Sequence, residues 1–120
     1  MSIRPNLPKR GEVWQVDFDP TKGAEIQKER PAVVISSDAI GRLPLKLVAP
    51  ITEWKDHYSR NVWHVRVEPD VGNGLTKTSA VDALQMRSLS LERFIKRRGR
   101  LTAVDMEEIV TAVAAVIEYD

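Results

Sequence analysis

The stretch Gly11-Glu-Val-Trp-Gln-Val-Asp-Phe-Asp-Pro-Thr-Lys-Gly-Ala-Glu-Ile-Gln-Lys-Glu-Arg-Pro-Ala-Val-Val-Ile-Ser36 decides how the chain folds. Val13, Trp14, Val16 and Phe18 form one apolar run. Ala32 to Ile35 form a second, β-branched enough to read as a buried strand. Between them Asp19-Pro20 and Gly23 punctuate a turn, and Pro31 biases Arg30 out of helical geometry. The stretch is therefore strand, long polar loop, strand. The loop holds Lys22, Glu25, Lys28, Glu29 and Arg30. A charged loop held between two strands is a common mount for a site, and it also reads as a plain solvated hairpin.

Working outward, residues 1–9 carry two prolines and read as a loose arm before the first strand. Ser37 to Arg42 reads as a turn or a single helical turn, stopped by Gly41 and Pro44. Leu45 to Ile51 is the next strand, and Pro50 near its end suggests an edge or a bulge. Thr52 then falls where that strand opens into a loop of mixed basic and aromatic residues, Glu53 to Asn61. In the strand Val62 to Val67, Trp63, Val65 and Val67 share a core face, while His64 lies on the outward one. Glu68 to Gly74 is a turn cluster, and Ser79 to Leu84 a strand interrupted by Asp82. Leu89 to Phe94 reads as a helical turn capped by Ser88 or Ser90. Ile95 to Leu101 reads as a short basic last strand.

The final segment is the clearest helix. Thr102 stands at capping-box distance from Asp105, and Met106, Ile109, Val110, Val113, Val116 and Ile117 recur at helical spacing. Several short strands closed by one amphipathic helix argue for a small, strongly bent antiparallel sheet or barrel. No repeat, low-complexity tract or second domain is visible, so residues 1–120 read as a single domain.

Composition narrows the function classes. With 42 % hydrophobic and 29 % charged residues, the chain is ordinary for a globular protein. A net charge of +1 advertises no global field for nucleic acid, which leaves only a local patch. The absence of cysteine removes thiolate nucleophiles, disulfides and Cys-based metal sites, and fits a reducing cytoplasm. Two histidines give no recognisable zinc cluster, and no P-loop or nucleophile elbow is present. No apolar run approaches the ~20 residues that span a bilayer, and the N-terminus lacks a signal-peptide core.

Gly11-Glu-Val-Trp, then Asp17-Phe-Asp-Pro-Thr-Lys-Gly23, Glu25 and Arg30-Pro-Ala-Val-Val-Ile-Ser36 together resemble the MazF/PemK (Kid) family of toxin endoribonucleases. Leu47-Val-Ala-Pro-Ile-Thr52, Gly74-Leu75 followed by Ser79-Ala-Val, Gln85-Met-Arg87 and the terminal helix extend the resemblance from about Arg10 to the C-terminus. It implies an SH3-like barrel, a homodimer, toxicity in the cytoplasm, and neutralisation by an antitoxin with a disordered acidic tail. The chain departs from the family at Ile26, where many members have Gln. It departs again at Lys28-Glu29, where many have a glycine before Arg-Pro. Leu84 and Asp82 stand where some members carry an acid and an arginine that are assigned the proton transfers.

Cleaving single-stranded RNA needs neither metal nor an enzyme nucleophile, because the 2′-hydroxyl can attack the neighbouring phosphorus. The protein must accept one proton, donate another and stabilise charge. Arg30 is the first candidate, a planar fork for two phosphate oxygens. The resemblance implies that it is catalytic, and a guanidinium pKa above ~12 favours electrostatic stabilisation over proton transfer. Thr52 is the second, a hydroxyl donor at a position the family also uses. Glu25 is the third, to orient Arg30 by an ion pair or to accept the 2′-proton. Candidate RNA contacts are Lys22, Lys28, Trp54, Lys55, His57 and Arg87, with Trp54 able either to stack on a base or to serve packing. Lys96, Arg97, Arg98 and Arg100 read either as phosphate contacts or as a solubilising strand face. No metal or cofactor is expected. The different class left open is a CcdB-like gyrase poison, which relies on a C-terminal Trp-Gly-Ile, whereas this chain ends Ile-Glu-Tyr-Asp. A binding module of the same fold without catalysis is the third reading.

Overall fold

The computed structural model describes residues 7–119. Seven antiparallel strands form one bent, unclosed sheet with a single C-terminal helix. The strands are β1 (Glu12–Asp17), β2 (Glu29–Val34), β3 (Leu45–Glu53), β4 (His64–Val67), β5 (Ser79–Asp82), β6 (Arg87–Ser90) and β7 (Phe94–Arg100), and the helix is α1 (Ala103–Val116). Along the sheet the order is β4-β5-β3-β2-β1-β7. The mainly β expectation with one terminal helix is met, and the shape is the bent sheet rather than a closed barrel. Most of the loose arm expected at residues 1–9 lies outside the described residues. Of its remainder, Pro8 is buried and the Lys9 amide donates to Glu12 Oε1 at 2.8 Å.

β3 organises the molecule. On one side it pairs with β2, through Ala32↔Pro50 to Val34↔Val48. On the other it changes partner, meeting β6 from Leu45 to Val48 and β5 from Ile51 to Glu53. Pro50 falls in the gap between those two ladders, where a missing N–H leaves no bond unmade. The strand was expected to end at Ile51 and instead runs two residues further, so Thr52 lies inside β3, opposite Ala80.

Side chains alternate between two cores, as the two-residue period requires. Val13, Val33, Ala49 and Ile51 join Val65, Val67, Val81 and the helix residues Met106, Ile109 and Ala112 in one. Trp14, Val16, Phe18, Ala32, Val34 and Val48 face the other, with Leu89 and Phe94. The Thr102 hydroxyl caps α1, accepting from the Asp105 amide at 3.1 Å. The apolar face is narrower than the spacing suggested. Met106, Ile109 and Ala112 are buried and Val113 and Val116 half-packed, while Val110 and Ile117 stay exposed.

Three sequence expectations need correction. Arg30 and Pro31 are in β2, not in the loop, because Val16 and Gln15 of β1 pair with them. Pro31 is tolerated there because the β3 ladder stops at Ala32, one residue short of it. The helical turn expected over Leu89 to Phe94 is shorter, a 3₁₀ turn at Leu91–Arg93 capped by Ser90, because Leu89 and Ser90 belong to the end of β6. The basic last strand is mostly committed to protein contacts. Arg97 Nε binds Glu12 Oε2 at 2.8 Å, Arg98 reaches Gln15 Oε1 and the Gly74 carbonyl, each at 2.9 Å, and Arg100 donates to the Arg10 carbonyl.

Glu12 ties these pieces together. Burial raises its pKa, but the Trp14 indole N–H, the Lys9 amide and Arg97 outweigh that and hold it below its ordinary 4.5. A folded-state pKa below the unfolded one adds stability above the unfolded value, and that stability is lost as pH falls through the folded value. Glu12→Gln is therefore expected to lower the thermal midpoint at pH 7 and to flatten the acid limb of a midpoint-versus-pH curve below about 4.5. Parallel curves for the two proteins would refute the assignment.

Candidate active site

The site forms where β2 and β3 part. Continuing the register from Ala32↔Pro50 by two residues sets Arg30 opposite Thr52, just past the end of their ladder. Both line one cleft of about 390 Å³ with Ala24, Ile26, Glu53, Lys55, Tyr58, Asp82 and Gln85. Arg30 is exposed, and the only hydrogen bond of its side chain among the described residues is a long one, Nε to the Gln27 carbonyl at 3.4 Å. No carboxylate pairs with it there, so its fork is available to an anion.

A second cleft of about 610 Å³ adjoins the first, lined by Phe18, Glu25, Pro50, Leu84, Met86 and Arg87, among others. The two share Ala24, Ile26 and Gln85. Gln85 holds this common wall in place. Its Oε1 accepts from the Ile26 amide at 2.6 Å, and its Nε2 donates to the Ala24 carbonyl at 3.4 Å. Arg87 donates to the Phe18 carbonyl at 3.3 Å and sits over the Phe18 ring.

The loop is shaped by its own backbone contacts. Glu25 accepts from the Lys22 amide at 2.6 Å and makes no ion pair with Arg30. Lys28 adopts a left-handed φ of 68°, and its amide donates to Asp19 Oδ1 at 3.0 Å. The Asp19-Pro20 peptide is cis. Lys22 and Lys28 are exposed and line neither cleft. Lys55 lies in the Arg30 cleft, 3.5 Å from Glu53. Trp54 packs edge-on to Tyr58 and beneath the Arg66 guanidinium, and His57 meets the edge of Tyr58.

His64 corrects the sequence reading. It does not face solvent: its side chain is 8 % exposed, 3.6 Å from Asp82 and stacked on Tyr58. Burial lowers its pKa, Asp82 opposes this, and His57 adds to the lowering. The balance is an imidazole below its ordinary 6.5. Tyr58 and Asp82 were not among the sequence candidates. The signal for Asp82 was its break in the apolar run of β5; a polar residue on a buried strand needs a partner, and His64 stands opposite it in the β4–β5 register. Among the described residues no three His, Asp or Glu side chains are grouped to hold a metal ion, and no helix is long and apolar enough to cross a membrane.

The fold is a bent antiparallel sheet with one helix, and its strand-edge cleft sets an arginine with no ion pair among the described residues beside a threonine. Residues 9–117 match the family of PemK-like, MazF-like toxins of type II toxin–antitoxin systems, and the chain belongs to it. Endoribonuclease MazF9 of Mycobacterium tuberculosis is 32 % identical over 114 residues, covering 89 % of this chain and 93 % of that protein. MazF of Deinococcus radiodurans has a similar fold, with a TM-score of 0.79 at 23 % identity over 94 % of this chain and 98 % of that one. A mycobacterial endoribonuclease in complex with its cognate antitoxin superposes with a TM-score of 0.75 at 20 % identity, covering 94 % and 97 %.

Proposed function

We propose that this protein is a toxin endoribonuclease that cuts single-stranded RNA at a short sequence without a metal ion. The carrying observation is the free Arg30 fork beside Thr52 in one cleft. The 2′-hydroxyl attacks the adjacent phosphorus, forming the 2′-oxygen–phosphorus bond while the bond to the 5′-oxygen breaks. The products are a 2′,3′-cyclic phosphate and a 5′-hydroxyl. Arg30 stabilises the charge on the pentavalent phosphorus, the Thr52 hydroxyl donates a hydrogen bond to a phosphate or leaving oxygen, and the departing 5′-oxygen takes its proton from solvent water. Glu25 is the loop carboxylate assigned to the 2′-proton; with no ion pair to Arg30, it does not act by orienting the guanidinium. Lys22, Lys28, Lys55 and Arg87 supply positive charge to the RNA backbone, and Trp54 and His57, packed against Tyr58, are further RNA contacts. The protein acts as a homodimer in the cytoplasm, and an antitoxin with a disordered acidic tail covers the cleft that holds Arg30. The name of the mycobacterial neighbour, an endoribonuclease solved with its antitoxin, supports that partner.

The test is to incubate the protein in EDTA with a single-stranded RNA, the same sequence as DNA, and the RNA duplex. Only the single-stranded RNA is expected to be cut. Intact RNA under conditions where the protein is folded would overturn the reading.

A further inference from the structure

We propose that Tyr58 is a third substrate-contacting side chain of the Arg30–Thr52 cleft, its phenol donating a hydrogen bond to a phosphate oxygen of the RNA, and that His64 and Asp82 hold it there. The inference rests on the endoribonuclease reading above. Tyr58 lines the same cleft as Arg30 and Thr52. Its ring is fixed on three sides. It stacks on His64 at 3.8 Å and 15°, and meets Trp54 edge-on at 5.8 Å and His57 at 4.8 Å. Its hydroxyl, in contrast, has no hydrogen-bond partner among the described residues. A ring this constrained with an uncommitted donor is a preorganised arrangement for binding an oxyanion.

The support beneath Tyr58 is buried and directional. The Asn61 amide lies 3.1 Å from His64 Nδ1 and donates to it, which leaves Nε2 to carry the hydrogen toward Asp82 Oδ2 at 3.6 Å. Both side chains are more than nine-tenths buried. The other Asp82 oxygen accepts from the Leu84 and Gln85 amides at 3.0 and 3.1 Å. One carboxylate therefore steadies the ring under Tyr58 and the turn that carries Gln85, whose side chain pins Ile26. Tyr58 would contact substrate directly; His64 and Asp82 are positioning residues that act through it and through Gln85.

The experiment compares wild type, Tyr58→Phe, His64→Ala and the double variant on single-stranded RNA, with kcat and KM separated and thermal midpoints recorded. Tyr58→Phe keeps the ring and its packing and removes only the donor. It is expected to lower kcat about tenfold or more with KM and midpoint unchanged. His64→Ala is expected to lower kcat in the wild-type background and to add little in the Tyr58→Phe background, because it acts through the same hydroxyl. Wild-type kcat in Tyr58→Phe would overturn the contact, and that variant stays informative even if His64→Ala does not fold. Equal losses from His64→Ala in both backgrounds would overturn the positioning role. If wild type itself leaves the RNA intact, the parent reading fails first and takes this one with it.

Discussion

Arg30→Ala is expected to abolish cleavage, with a loss of at least about 10²- to 10³-fold in kcat, while fold and stability stay as in wild type. The two halves of this expectation come from the same observations. Arg30 is exposed, makes one long bond to the Gln27 carbonyl and has no ion pair among the described residues. Truncating it removes almost no packing and strands no buried partner, so the thermal midpoint has little reason to move. Its charge, however, is the one that stands opposite Thr52 where β2 and β3 part. Arg30→Lys separates charge from geometry. An ammonium keeps the positive charge but not the two-pronged fork, so partial activity between wild type and the alanine variant is expected. Single-turnover cleavage of one RNA by the three proteins, beside their melting curves, checks both halves. Near-wild-type cleavage by Arg30→Ala would remove Arg30 from the chemistry.

Gly99→Ala is expected to be severely destabilising for a single added methyl, costing about 3 kcal/mol or more and lowering the thermal midpoint by more than about 10 °C. A β-carbon at Gly99 would lie 2.5 Å from the Asn73 carbonyl carbon and nearer still to the Gly72 carbonyl oxygen. These are backbone atoms, which cannot swing aside as a long side chain can. They are also fixed by other bonds. The Gly72 carbonyl accepts from the Arg100 amide at 2.9 Å, and Asn73, fully buried, bonds the Glu68 carbonyl and the Asp70 and Leu75 amides. The turn lies flat against β7, the end strand of the path, and so covers an edge that would otherwise be open to pairing. Gly74 repeats the close approach from the other side, with φ of 70° and the Arg98 carbonyl carbon 2.7 Å from its β-carbon position. A midpoint shift of only a degree or two for Gly99→Ala would show that the turn is not packed as described.

Much of this was legible in the residues, and what was not has a common cause. Alternation at Val13, Trp14, Val16 and Phe18 and the run Ala32 to Ile35 announce the first two strands because the period is local. Thr102 and the spacing of Met106, Ile109 and Val113 announce the helix for the same reason. β6 was missed because four residues with one buried leucine carry too little pattern; it is a strand because the long β3 offers it a ladder. Arg30 was placed in the loop by the proline after it, whereas pairing with Val16 keeps it in β2. At the site, Arg30, Thr52 and Lys55 share one cleft, and Glu25 and Arg87 line the adjoining one. Lys22, Lys28, Trp54 and His57 line neither. His64 read as outward by strand alternation, which assigns a face but not what covers it. Tyr58 and Asp82 close over that face, and only the three-dimensional pairing shows it.

End-group analysis of RNA cut in EDTA tests the central claim most directly. A mixed-sequence single-stranded RNA is digested by wild type and by Arg30→Ala, and the termini are mapped. The expected result is cuts at one recurring short motif, leaving 2′,3′-cyclic phosphates and 5′-hydroxyls, all absent from the Arg30→Ala digest. Intact RNA, or fragments ending in 3′-hydroxyls and 5′-phosphates, would contradict it.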